Sequence, residues 1–304
     1  MITNDSFPPP IQTGAEPADI HQASSIQATV PAVNAAGNAW TEVARAFIAW
    51  IGSVVLLVLV PLLAVIPYFI YRAATSEVPT AQALTQDKIF LLISILAVIP
   101  AHALTLLGIW LIITKWGRAP FWKTLKFSWP PNVLPWRGFA ISFGIAVLLL
   151  GFGGLITSLL GGQKTDLDVL IESSFAARLA TAFLALATAP LVEEVIYRGM
   201  LYPAIQRLLG MGWAIVVVSV MFAGVHVLQY KNNIGVIVVI TILSITLTLI
   251  RAWTDRLLPS VVIHTIFNGL QSLYLVLQPF IEKPEKVKPT PALIQLFHTI
   301  QHFF

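Results

Sequence analysis

Apolar residues in this chain come in long unbroken runs, not at every second position or along one helical stripe. Seven runs, near residues 46–71, 89–114, 137–160, 179–203, 212–229, 234–252 and 258–278, are candidates for crossing a hydrocarbon core, which takes roughly 20 helical residues. Membrane β-strands would alternate instead. The pattern predicts an all-α fold, a polytopic transmembrane helix bundle of about seven spans. An eighth element is expected at the end, where Leu293, Phe297, Ile300 and Phe304 share one face. That segment is too short to span and reads as an interfacial amphipathic anchor. Residues 1–40, rich in Pro, Ala, Ser, Gln and Asn, read as a disordered tail without the basic-then-apolar order of a signal peptide. The organisation is thus a tail at 1–40, N-terminal membrane helices with a basic interfacial segment at 41–134, a chemistry-bearing membrane core at 135–278, and a tail at 279–304.

Composition sharpens the class. Charged residues make up 11% of the 304 positions and hydrophobic ones 57%, whereas a soluble domain carries about 25% charge. So few charges cannot cover a water-exposed surface, which excludes a soluble enzyme, a disordered scaffold and a nucleic-acid binder. The net charge of +4 belongs to scattered basic residues suited to lipid headgroups. There is no cysteine, so disulfides, thiolate metal sites and a Cys nucleophile are out. Lys115 to Arg137 holds five Lys/Arg, no acid, and Trp116, Trp122, Trp129 and Trp136, the signature of a headgroup-level segment on the cytoplasmic side. Within it, Phe121–Phe127 reads as a short interfacial helix or hairpin. This orientation puts the N-terminus inside and the C-terminus outside, in a multi-pass integral membrane protein of a bacterial inner or cell membrane.

An ionisable group at mid-membrane costs at least ~2.5–3.5 kcal/mol on insertion scales, so the few inside the runs stand out: His102, Glu193, Glu194, Arg198, His226 and His264, with Asn268 beside them. Glu194 and Arg198 are four apart and can pair on one helix face. Glu193 lies about 100° round the helix and has no evident local partner. His264 and Asn268 share a face, and Phe222 would wall His226 one turn away. Up-down threading puts Glu193 about 15 Å, His226 about 21 Å, and His264 and Asn268 about 9 and 15 Å from the same membrane side. The four are therefore expected in one depth band, reached from the cytoplasmic side. His102, after Pro100, reads as a helix–helix hydrogen bond. Arg251, Asp255 and Arg256 read as solvated loop ends, and Gly151, Gly153 and Gly154 as helix-packing positions.

Two imidazoles, a carboxylate and an amide suffice to hydrolyse a peptide bond without Ser or Cys. Glu193, helped by His226, could take a proton from an attacking water. His264 and Asn268 could donate to the developing oxyanion, and Glu194 with Arg198 would orient and tune Glu193. On this reading no cofactor is needed. The rival chemistry puts zinc on Glu193, His226 and His264, although the His-Glu-x-x-His spacing is missing. A proton-coupled transporter also uses intramembrane Glu, His and Arg, but would favour two related halves, and the chain has no internal repeat.

Glu193-Glu194-x-x-x-Arg198, Phe222-x-x-x-His226 and His264-x-x-x-Asn268 resemble, in order, the three motifs of the CPBP family, the CAAX proteases and bacteriocin-processing or self-immunity proteins. The resemblance spans residues 135 to 278, and no motif position departs from it. It implies an intramembrane glutamic endopeptidase, formerly classed as a metalloprotease. The first Glu and the His of the second motif would activate water, and the His and Asn of the third would hold the oxyanion. The partners implied are a peptide or protein substrate, membrane-associated or lipidated, and the bilayer itself. A non-catalytic peptide-binding or immunity role uses the same fold.

Overall fold

The computed structural model describes residues 32–75, 79–84 and 86–281. Of the tail expected at 1–40, residues 1–31 lie outside them, as does the amphipathic segment at 293–304, while a helix begins at Ala32 within the rest. The chain divides into two units, Met1–Asn38 and Ala39–Phe304. The helices from α2 to α13 all lie in the second.

Among the described residues the regular structure is helical throughout. The helices are α1 (Ala32–Ala64), α2 (Ile66–Thr75), α3 (Ala81–Leu84), α4 (Lys88–Leu96), α5 (Val98–Thr114), α6 (Phe121–Thr124), α7 (Pro135–Leu160), α8 (Asp166–Glu172), α9 (Phe175–Phe183), α10 (Ala189–Glu194), α11 (Tyr202–Tyr230), α12 (Ile234–Thr254) and α13 (Leu258–Ile281). Two π-helical stretches, Leu184–Thr188 and Val195–Leu201, join α9, α10 and α11 into one continuous run. Among the described residues six helical runs are long and apolar enough to cross a membrane, and their outward faces are rows of exposed Leu, Val, Ile and Phe. Such a surface is stable only in lipid, so the protein is a multi-pass integral membrane protein.

The run Phe175–Tyr230 is 56 residues long, far more than one crossing requires. It reverses at Gly210, whose φ of 83° and ψ of 170° interrupt α11, a backbone conformation that glycine adopts without a Cβ clash. Tyr197 and Phe222, nearly equidistant from Gly210, meet with ring centroids 5.0 Å apart. The sequence separation of the fourth and fifth apolar runs is this hairpin.

Chain alternation fixes which helix ends share a membrane face. The Lys115–Arg137 segment, the Gly210 turn and the α12–α13 turn lie together: Leu257 N–H donates to the Lys126 carbonyl at 3.1 Å, and Lys126 pairs with Asp255. Trp116, Trp136, Trp213 and Trp253 are exposed at helix ends on this face, an aromatic belt at headgroup depth. Between α5 and α7 only α6 is helical; Lys126, at φ 55°, turns the chain into the bundle. Helices that start from the opposite face are capped by short polar side chains: Asp87 on α4, Thr165 on α8, Ser174 on α9 and Asn233 on α12. Each supplies an acceptor to N–H groups that have no intrahelical partner.

Candidate active site

The two π-helical stretches have a local cause. In a π turn each N–H reaches the carbonyl five residues back, as Ala189 N–H does to Leu184 and Tyr202 N–H to Tyr197. The next residue in each case is proline, Pro190 and Pro203, which has no N–H to give. The carbonyls left over in that register are those of Ala185 and Arg198. Both are taken by side chains from other helices: Asn268 Nδ2 donates to Ala185 at 3.2 Å, and Arg251 Nε donates to Arg198 at 3.1 Å. The prolines therefore open the helix on either side of Glu193 and Glu194, and polar residues of α12 and α13 close it. Arg251 is accordingly buried, with 4% exposure. This corrects its reading as a solvated loop end, although Asp255, its partner at 2.9 Å, is solvent-facing.

Glu194 and Arg198 are both fully buried and paired at 2.9 Å. The guanidinium uses every nitrogen: Nε donates to Thr248 Oγ1 at 3.2 Å, and Nη2 to Ser244 Oγ and the Ser244 carbonyl, each at 2.8 Å. It also lies 4.8 Å over the Phe222 ring. Glu194 Oε1 accepts a second hydrogen bond, from His264 Nδ1 at 3.0 Å. That bond fixes the ring, and its Nε2 points to Glu193 Oε2 at 3.7 Å. The carboxylate without a local partner in sequence thus faces an imidazole from α13.

On α11, His226 Nδ1 lies 2.7 Å from the Phe222 carbonyl. A carbonyl only accepts, so Nδ1 carries the hydrogen and Nε2 keeps its lone pair in the neutral ring. Phe222 packs between Arg198, Tyr197, His226 and His264, with ring centroids 4.8 Å from His226 and 6.0 Å from His264. It is the wall the spacing predicted, and it separates the buried ion pair from the open side.

Two adjoining cavities meet here. The larger, about 510 Å³, is bounded by Glu193, His226, Asn268, His102 and Tyr230. The smaller, about 100 Å³, has Glu193, His226, Asn268 and Tyr230 in common with it and adds His264. Glu193 is 24% exposed where Glu194 is closed off entirely, so only the first of the two adjacent acids can meet a ligand. All four residues expected at one depth do converge. The direction of access differs from expectation: the larger cavity runs past Ser94, Leu170 and Thr181 to Gln229 and Tyr230, which lie near helix ends on the face opposite Lys115–Arg137. Counting residues along helices gave depth correctly but could not say on which side the helices part. Among the described residues no three His, Cys, Asp or Glu side chains converge to hold a metal ion.

Residues 175–270, which include every motif position above, match the family model described as Type II CAAX prenyl endopeptidase Rce1-like. This match, over about a third of the chain, supports membership of the CPBP family. No curated protein and no solved structure matches it significantly.

The CPBP motifs do not cover the whole site. His102 makes the helix–helix hydrogen bond read for it, Nδ1 to Thr188 Oγ1 at 2.8 Å, yet it also lines the larger cavity with Glu193. Tyr230, stacked on His226 at 6.5 Å, lines both cavities. One signal for His102 was present in the sequence, a His deep in an apolar span. Tyr230 gave none, being one of many interfacial aromatics.

Proposed function

We propose that this CPBP protein is an intramembrane endopeptidase in which Glu193 and His226 activate water and His264 and Asn268 bind the oxyanion. The observation that carries the reading is the asymmetry of the acid pair: Glu193 faces a cavity together with His226 and Asn268, while Glu194 is locked to Arg198 and His264. A scissile carbonyl in the smaller cavity would be attacked by a water whose proton passes to Glu193, with His226 Nε2 accepting from the same water. As the C=O becomes C–O⁻, the free amide hydrogen of Asn268 donates to it, joined by the Nε2–H of His264 in its imidazolium form, since the Nδ1–H is given to Glu194, in surroundings where such donors act at low dielectric. Collapse of the tetrahedral carbon breaks the C–N bond, and Glu193 returns the proton to the leaving amine. Glu194 and Arg198 are positioning residues that hold the His264 ring. The substrate is a peptide segment, membrane-associated or lipidated, reaching the cavity from the bilayer or from the face opposite the basic segment.

Glutamate rather than zinc is the choice because no group of three His, Cys, Asp or Glu side chains among the described residues is placed to hold a metal ion. The test is comparative proteomics of membranes containing wild-type or Glu193→Gln protein, with unfolding temperature measured on both. The expected result is a membrane-associated protein cut only by the wild type, with the two proteins equally stable. Wild-type cleavage by Glu193→Gln overturns the mechanism. Stoichiometric zinc whose removal stops cleavage and whose return restores it would replace the glutamate reading.

A further inference from the structure

On the face that carries Lys115–Arg137 lies a third cavity of about 310 Å³, which has no lining residue in common with the two at Glu193. It sits between α1 around Glu42 to Ala46, the end of α5, the α6 turn, the start of α11 and the end of α12. Five cations line it, Arg45, Lys115, Lys126, Arg207 and Arg251, against two acids, Glu42 and Asp255. Both acids are already engaged. Glu42 pairs with Arg207, and Asp255 pairs with Lys126 and with Arg251 at 2.9 Å. Arg45 and Lys115 face the same cavity without a carboxylate among the described residues, so an excess of three positive charges is left there. Its deeper wall is apolar, formed by Ala46, Ile112, Ile113, Leu125 and Met200.

We propose that this cavity binds the phosphate-bearing headgroup of one anionic phospholipid. Uncompensated Lys and Arg at headgroup depth attract anionic lipid, and guanidinium and ammonium groups together make charge-assisted hydrogen bonds to phosphate oxygens. An apolar wall behind a cationic rim suits an amphiphile better than a soluble ion. The exposed Trp116 and Trp213, at helix ends on this face, mark its depth as the interface. The floor residue Arg251 gives the site a structural consequence. Its Nε holds the Arg198 carbonyl, Arg198 holds Glu194, and Glu194 holds His264. A bound headgroup therefore stabilises the clamp from its far end, whatever chemistry Glu193 performs.

The test uses the full chain in nanodiscs of phosphatidylcholine alone or with one fifth phosphatidylglycerol. Retained lipid is read by native mass spectrometry after transfer to detergent, and unfolding temperature on the same samples. The expected result is one phosphatidylglycerol retained per chain and a higher unfolding temperature. Retention should fall at least tenfold in Arg45→Ala/Lys115→Ala and be unchanged in Lys88→Ala on the opposite face. Arg45 and Lys115 are exposed and form no ion pair among the described residues, so the double variant is expected to fold. If it does not, Lys115→Gln alone is read in the same way. A second arm adds inorganic phosphate at constant ionic strength to the phosphatidylcholine discs. Equal stabilisation by free phosphate would mean that the site takes phosphate from solution and would overturn the lipid assignment. Equal retention of phosphatidylcholine, or undiminished retention by the variants, would overturn the site itself.

Discussion

Replacing Arg198 with methionine tests whether the buried clamp is structural. The change keeps an unbranched chain against Phe222 but removes four hydrogen bonds, to Glu194, Thr248 and twice to Ser244. It leaves Glu194, with no exposed surface, without its guanidinium partner. Breaking one side of a buried ion pair costs about 3–5 kcal/mol, because the orphaned charge keeps its desolvation penalty. At roughly 2–4 °C per kcal/mol, the scale for domains of 150–250 residues, the unfolding temperature should fall by about 6–20 °C. Intrinsic tryptophan fluorescence during thermal unfolding in detergent reads this directly, since the chain has nine Trp. Adding Glu194→Gln to Arg198→Met removes the stranded charge and should recover a large part of the loss, so the two substitutions are strongly non-additive. An Arg198→Met protein that unfolds within about 2 °C of wild type, or a double variant as unstable as the sum of the singles, would refute the argument.

Other substitutions probe the carbonyls that the prolines set free. Arg251→Met leaves the Arg198 carbonyl without its donor and should cost about 1–3 kcal/mol, measurable as a lower midpoint of denaturant-induced unfolding. Asn268→Ala uncovers the Ala185 carbonyl at a similar cost of about 1–3 kcal/mol, and it should also reduce cleavage more than Arg251→Met does, since only Asn268 faces the cavity. Away from the membrane interior, the Tyr68 hydroxyl at 2.6 Å and two backbone N–H groups hold the Asp87 carboxyl below its ordinary value of 3.8. A depressed acid stabilises the fold above that ordinary value and ceases to do so as pH falls through its folded one. Wild type should therefore exceed Asp87→Ala by about 1 kcal/mol at neutral pH, as helix caps do, with the gap narrowing below pH 3.8. A gap that is constant from pH 6 to pH 3 would assign the effect to packing.

Much of this protein can be read from the sequence because the bilayer is a severe solvent. Every backbone group must be satisfied within a helix, and every charge in a span is costly, so apolar runs declare helices and the exceptions declare the site. That physics is local, and it picked out Glu193, Glu194, Arg198, His226, His264 and Asn268 along with the pairing of Glu194 and Arg198, which needs only helical spacing. The tertiary structure decided what depends on neighbours distant in sequence. Glu193 and Glu194 are adjacent and chemically identical, yet His264 and Arg198 close over one while the other is left at a cavity wall. Arg251 looked like a loop residue until Pro203 freed a carbonyl for it to hold. His102 met Glu193 only because α5 packs beside α10. Which face the cavity reaches was likewise beyond helix counting, because spacing along a helix fixes depth, whereas access is set by where packed helices separate.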